Sequence, residues 1–274
     1  MKKKSAKIIW IIVLIIAILA FLLCAGYLAW YFFFDTTKEI QEYHSTEPSV
    51  ATYDETTVAV TEPPTERFLY TTEELGEQDF VNFNELMQIN PDIYAWIYIP
   101  DTNVDYPVAQ SGEGMNDSFY LTHNVYKNYQ FSGTIYSEKQ NAKDFSDPVT
   151  VLYGHNMLNG SMFATLHKFN DKTFFDNNNT MFVFTKDKIY TYLIYSAYQY
   201  DDRHILNSFN MREENSFSEY LDSTLLQRPY YCNVREGITL NTQDRILTLS
   251  TCMNGGGNVR YLVQGVLVDE RDTE

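Results

Sequence analysis

Three residues of different chemistry stand at the ends of strand-like runs in this chain. Cys252 closes Ile246-Leu247-Thr248-Leu249-Ser250-Thr251-Cys252, and Arg260 opens the apolar run Tyr261-Leu262-Val263-Gln264-Gly265-Val266-Leu267-Val268. Gly255-Gly256-Gly257 lies between them. If residues 253–259 turn the chain back, positions 252 and 260 face each other on antiparallel neighbours, with Cβ atoms about 4.5–5.5 Å apart. Far upstream, Val149-Thr150-Val151-Leu152-Tyr153 reads as a buried strand ended by Gly154-His155-Asn156. A thiol, a fixed cation and an imidazole that carries protons near neutral pH are the parts needed for acyl transfer. The bland alternative is a cysteine used as a small core hydrophobe. Against it, Leu247 and Leu249 share one face of the strand, whereas Thr248, Ser250 and Cys252 share the other, so the leucines form the core-facing set. A cysteine on the polar face beside an arginine fits the electropositive, partly exposed setting of a reactive thiol. The pattern alone leaves both readings open.

Tyr153-Gly154-His155-Asn156-Met157, the following Gly160-Ser161-Met162-Phe163, Thr248-Leu249-Ser250-Thr251-Cys252 and Arg260 together resemble the sortases, over roughly residues 70–268. The Asn-Met and Gly-Ser-Met-Phe continuations point to class B. The resemblance implies a cysteine transpeptidase in which Cys252 attacks a Thr-Gly-like carbonyl in a C-terminal sorting signal and forms a thioacyl enzyme. His155 acts as general acid toward the leaving amine and general base toward the incoming one. Arg260 stabilises the oxyanion and orients the peptide backbone, which suits a permanently charged fork. Tyr153, Ser250 and Thr251 line the substrate groove. The segment Asn116-Asp117-Ser118-Phe119-Tyr120-Leu121 resembles one that contacts the sorting peptide, with Leu121 in the groove and Asn116 and Asp117 competing for one role. Some class B members carry an acid just after the cysteine. Met253 and Asn254 stand there in this chain, so a carboxylate-assisted triad is not supported.

The implied partners are surface proteins bearing sorting signals and an amine of peptidoglycan or its lipid-linked precursor; a pilin lysine is the alternative acceptor. No cofactor is implied, and no metal, because nothing resembles zinc or calcium spacing. An L,D-transpeptidase would place its cysteine after Ser-His-Gly, which is absent, and a papain-like peptidase would place its cysteine before its histidine. From a different class, a catalytically silent stalked adhesin could bind peptides through aromatic loops.

The elements that position these residues occupy only part of the chain. Lys2, Lys3, Lys4 and Lys7 precede residues 8–34, an uncharged run of 27 residues. That is long enough to cross a ~30 Å hydrocarbon core, and the lysines put the N-terminus in the cytoplasm and the rest outside. A cleaved signal peptide has a shorter apolar core, and Cys24 is expected to be a membrane-compatible small residue rather than a lipidation site. Residues 45–66 hold six Thr, four Glu and three Pro without Lys or Arg, the composition of a disordered extracellular stalk. The domains expected are thus a tail and anchor over 1–34, a stalk over 35–70 and a catalytic domain over 71–274. Residues 1–34 contain four lysines and no acid, so the net charge of −16 leaves −20 for the remainder. That argues against nucleic acid or anionic lipid as partners. Only Cys232 and Cys252 fall in the exported part. Cys232 is expected in the core rather than as a redox partner of Cys252.

Within 71–274 the chain is mostly short aromatic and β-branched runs at 94–99, 106–109, 133–136, 149–153, 181–185, 189–200, 246–252 and 261–268. Runs of this kind suggest a closed barrel or a sandwich; the resemblance implies a mainly β, sortase-like closed barrel of seven to eight strands, with an N-terminal helix and an inserted late helix. Thr71 with Glu74 fits a cap for the first helix, on which Phe80, Phe83 and Met87 recur before Pro91. Ser161 can cap a helix carrying Met162, Leu166 and Phe169. Ser216 with Glu219 fits a capping box for the late helix, with Phe217, Tyr220, Leu221 and Leu225 inward. The other histidines, His44, His123, His167 and His204, are expected to be solvated or satisfied within the core.

Overall fold

In the computed structural model the described residues are 81–253 and 258–273, with Ile18, Phe21, Leu22, Leu23 and Gly26 of the N-terminal segment. Those five are helical, and the four apolar ones are exposed. Among the described residues no helix is long and apolar enough to cross a membrane. The rest of the expected anchor, the stalk, the boundary at 71 and the Thr71–Glu74 cap lie outside the described residues.

Helix α1 (Phe83–Ile89) is started by Asn82, whose Oδ1 accepts the Glu85 N–H at 3.3 Å, and it stops ahead of Pro91. Its inward residues are Phe83 and Leu86, packed near Trp96, Phe182 and Phe184. Met87, expected on that stripe, is 43% exposed, because this seven-residue helix lays little more than its first turn on the sheet.

The chain continues through β1 (Ile93–Tyr98), β2 (Asp105–Gln110), β3 (Ile135–Ser137), β4 (Val149–Tyr153), α2 (Lys172–Asn177), β5 (Thr180–Thr185) and β6 (Lys188–Asp201). It ends with α3 (Ile205–Ser208), α4 (Glu214–Thr224), β7 (Cys232–Val234), β8 (Ile246–Cys252) and β9 (Val259–Asp272). The strand order is β5-β1-β2-β3-β4-β8-β9-β6, and β5 also pairs with β6, so eight strands close into a barrel. Strand β6 is the seam: its first half pairs with β5, its second half with β7 outside the barrel, and nearly all of it with β9. Sequence periodicity does not reveal the three-residue β7.

Two sequence expectations about helices are corrected. Met162, Leu166 and Phe169 are buried as expected, but Met162 precedes the element and Leu166 and Phe169 stand on a 3-10 turn (Ala164–Asn170) followed by the separate α2, which Asp171 caps through the Phe174 N–H. Ser161 is spent locally on Asn159, its hydroxyl donating to Oδ1 at 2.7 Å. Likewise α4 begins at Glu214, before Ser216, whose hydroxyl instead accepts the Asn210 N–H. Phe217, Tyr220 and Leu221 do face inward.

Strand β8 is covered on both faces. Leu247 and Leu249 enter the barrel interior with Leu152 and Val263. Ile246 lies in a second core, outside the barrel, with Val149, Val151, Tyr195 and the inner face of α4. The face carrying Thr248 and Ser250 is therefore roofed rather than wet, and only Cys252 emerges from the strand exposed. Under the roof Gln264 is saturated: Nε2 donates to Tyr220 Oη (2.6 Å) and Thr248 Oγ1 (3.0 Å), while Oε1 accepts from Tyr195 (3.1 Å) and Tyr198 (3.4 Å). Replacing Gln264 with alanine should cost about 2–4 kcal/mol, since it opens a cavity and leaves buried hydroxyls short of partners. Urea unfolding measures this; a loss below about 1 kcal/mol would contradict the network's contribution.

Candidate active site

The β8–β9 ladder runs to its end with Cys252 opposite Arg260, and the Met253 N–H to Val259 O bond (3.2 Å) follows just beyond. Nearest neighbours across an antiparallel pair put their side chains on one face. Arg260 Nη1 stands 3.5 Å from Cys252 Sγ, a permanent positive charge against the exposed sulfur. Residues 254–257 of the turn are not among those described.

His155 arrives from the other side of β8. Strand β4 runs parallel to β8 with Tyr153 opposite Ser250, and the Gly154 N–H extends the ladder to Ser250 O at 3.2 Å. The chain then leaves the sheet. A Cβ at position 154 would lie 2.5 Å from Ile135 Cδ1 and 2.7 Å from Phe163 Cδ2, so only glycine lets this departure pack. His155 Nε2 lies 2.9 Å from Leu121 O. A carbonyl only accepts, so Nε2 carries the hydrogen and Nδ1 keeps the lone pair for proton traffic. The ring stacks on Phe131, centroids 5.2 Å apart. The Leu121 carbonyl is itself crowded by Gly133, at φ +63°, where a Cβ would come within 2.4 Å of that oxygen. Glycine at 133 thus sets the acceptor that sets the histidine.

Burial lowers the pKa of His155 below the usual imidazole value of 6.5, partly opposed by the bond to Leu121, and burial does the same to His167. Both rings are neutral, folded or unfolded, well above pH 6.5. Between that value and their lower folded values the unfolded chain binds more protons, so stability falls as the solution is acidified through this window. The melting temperature should therefore drop from about pH 7.5 to about pH 5.5, and less steeply in His167→Phe. A flat profile in the wild type would contradict the desolvation of these rings.

Cys252, Arg260 and His155 line one cleft of about 260 Å³. Of the residues expected in the substrate groove, Leu121, Tyr153, Ser250 and Thr251 line it too. Asn116 and Asp117 are not among its lining residues. Asn116 Oδ1 is occupied by the Ser118 N–H and hydroxyl, and Asp117 pairs with Lys139 at 3.2 Å. Sequence reasoning did not place Tyr136, Tyr200, Asp202, Arg203, His204 and Ile205 in the wall, which they also line. Tyr136 stacks on Tyr153 at 5.4 Å, and burial raises the pKa of both phenols, keeping them neutral. His204, expected to be solvated or core-satisfied, is backed by Glu138, with Nε2 2.5 Å from Oε2. Its polar loop gives no local signal of that placement. His167 lies beside the nucleophile, Nε2 3.0 Å from the Cys252 carbonyl. Cys232 is a half-buried free thiol at the start of β7, whose sulfur approaches Leu226 O at 3.6 Å; it is neither a fully buried core residue nor bonded to Cys252.

Residues 97–268 match the model of the sortase domain. The chain is 36% identical over 186 residues to sortase B of Listeria monocytogenes, covering 67% of this chain and 73% of that protein. The structure of Clostridium perfringens sortase B is similar at 35% identity and a TM-score of 0.58, over 69% of this chain and all of that one. A Staphylococcus aureus sortase B–substrate complex aligns at 25% identity and a TM-score of 0.57, over 68% of this chain and 84% of that one.

Proposed function

The chain belongs to the sortase family as a class B cysteine transpeptidase, and from that premise we propose that it cleaves the C-terminal sorting signal of surface proteins and transfers them to a wall amine. The observation that carries this reading is the Cys252–Arg260 contact at the mouth of a cleft shared with His155. Cys252 Sγ attacks the scissile carbonyl and passes its proton to His155 Nδ1. The oxyanion forms against Arg260, and collapse expels the leaving amine with the proton from His155. An amine of peptidoglycan or its precursor then attacks the thioester, His155 takes its proton, and the new amide frees the sulfur. The likeness to a complex of S. aureus sortase B with its substrate supports a peptide occupying the groove beside Leu121, Tyr153, Ser250 and Thr251.

The uncharged run at 8–34, after four lysines, supports a single-pass anchor with a cytoplasmic N-terminus and an extracellular catalytic domain, in a Gram-positive cell wall setting. The test is mass spectrometry of the protein incubated with a pool of wall-protein peptides. A thioacyl adduct on Cys252 that an added amine resolves into an amide product is expected. A protein that forms no adduct, or only a hydrolysed product at saturating amine, would overturn the transfer reaction.

A further inference from the structure

The hydrogen bonds of the parallel β4–β8 ladder run out at Gly154, whose N–H is held by Ser250 O. Along β8 the next carbonyl turned toward that side, two residues on, is that of Cys252. No backbone N–H from β4 reaches it, because the chain has already swung out to aim His155 at the cleft. Two side chains take its place: Asn156 Nδ2 lies 3.0 Å and His167 Nε2 3.0 Å from the Cys252 oxygen. The two nitrogens also lie 3.1 Å apart, where Nε2 without its hydrogen would accept from Asn156; with the hydrogen on Nε2, both side chains donate to the carbonyl, which can only accept. A carbonyl oxygen has lone pairs for both. His167 is braced from behind by Tyr261, the neighbour of Arg260, with ring centroids 4.8 Å apart.

We propose that His167, together with Asn156, is a positioning residue that clamps the main-chain carbonyl of Cys252 and so fixes the spacing between the nucleophile and His155. Asn156 follows His155 directly, so a bond from its side chain to the cysteine's carbonyl ties the histidine-bearing segment to the thiol-bearing strand. The clamp also holds the peptide plane from which the glycine-rich turn departs. On its other edge the same strand end is held by β9, through Cys252 opposite Arg260 and the Met253 N–H to Val259 O bond. The donor role requires the hydrogen of His167 to sit on Nε2, with Nδ1 unprotonated at neutral pH. This inference rests on the transpeptidase reading for its kinetic consequence, but the tautomer can be read without any substrate.

The test uses the full chain in detergent and two variants. His167→Phe keeps a ring against Tyr261 and removes the donor; His167→Gln keeps an N–H that can reach the carbonyl. With a fluorogenic sorting-signal peptide that the wild type cleaves, kcat for His167→Phe should fall by about 10²-fold, the scale of a misplaced reacting group. KM should stay within about twofold and His167→Gln should recover most of the rate. Alkylation of Cys252 by iodoacetamide, which needs no partner geometry, should change by less than about threefold. Nitrogen-15 NMR of labelled histidine should show the Nε2–H tautomer at His167. An Nδ1–H tautomer, turnover by His167→Phe within about twofold of wild type, or equal losses in both variants with a lowered melting temperature would each overturn the clamp. A wild type that cleaves no such peptide while showing the Nε2–H tautomer would count against the proposed reaction and leave the clamp standing.

Discussion

Cys252→Ala is expected to remove all cleavage of sorting peptides while leaving the fold unchanged. The sulfur is exposed at the last residue of β8 and touches Arg260, so its loss empties no cavity and strands no buried group. Exposed changes of this kind usually stay within about 0.5 kcal/mol. Without the nucleophile no thioacyl intermediate forms, and the arginine and histidine are left with nothing to activate. Cys232→Ala is the control: that thiol lies on β7, outside the barrel seam, and its loss should spare most of the activity. Peptide turnover and circular dichroism of both variants decide the matter. Equal loss in the two, with unchanged spectra, would mean that Cys252 is not the single nucleophile.

Arg260→Lys should be nearly as damaging although it conserves charge. The guanidinium presents several N–H groups in a plane, one set of which already points at the sulfur from 3.5 Å, leaving others to meet an oxyanion and a peptide carbonyl. Lysine offers a compact ammonium that cannot hold both at once. Losing one oxyanion donor costs about 10²–10³ in rate, or about 2.7–4 kcal/mol. The interaction strengthens as the tetrahedral intermediate forms, so the defect should appear in kcat more than in KM. Alkylation of Cys252 by a small reagent builds no oxyanion and should be much less affected. Turnover within about twofold of wild type would reduce Arg260 to a strand residue beside the thiol.

The pairing of Cys252 with Arg260 could be read from sequence because it is local: two apolar runs, a glycine turn between them, and a register counted along the chain. The same holds for most barrel strands, whose β-branched and aromatic runs are dense enough to mark. Strand β9 runs on to Asp272, past the apolar stretch, because Glu270 is paired with both Lys188 and Arg245 and no hydrophobic periodicity is needed there. What escaped was set by tertiary contact. Thr248 looks solvent-facing until Tyr220 of α4 covers it. His167 and His204 look like ordinary polar positions until one meets the cysteine's carbonyl and the other, in the cleft wall, is backed by the Glu138 carboxylate. Asn116 and Asp117 carry plausible side chains for peptide recognition, yet a local turn and Lys139 occupy them.

The parallel contact of β4 with β8 has a consequence for when the enzyme becomes active. Val149 aligns with Ile246, so this pairing closes a loop of nearly a hundred residues that contains β5, β6, β7 and the late helices. Non-local pairings of this kind are slow, because the chain entropy of the closure is lost before contacts compensate for it. Hairpins such as β1–β2 and β5–β6 can form early, but the imidazole and the thiol belong to strands that meet only through the long closure. Until then each lies on an unfinished sheet edge. Catalytic competence is thus a late product of folding, and partly folded chains expose a thiol that has neither its clamp nor its base.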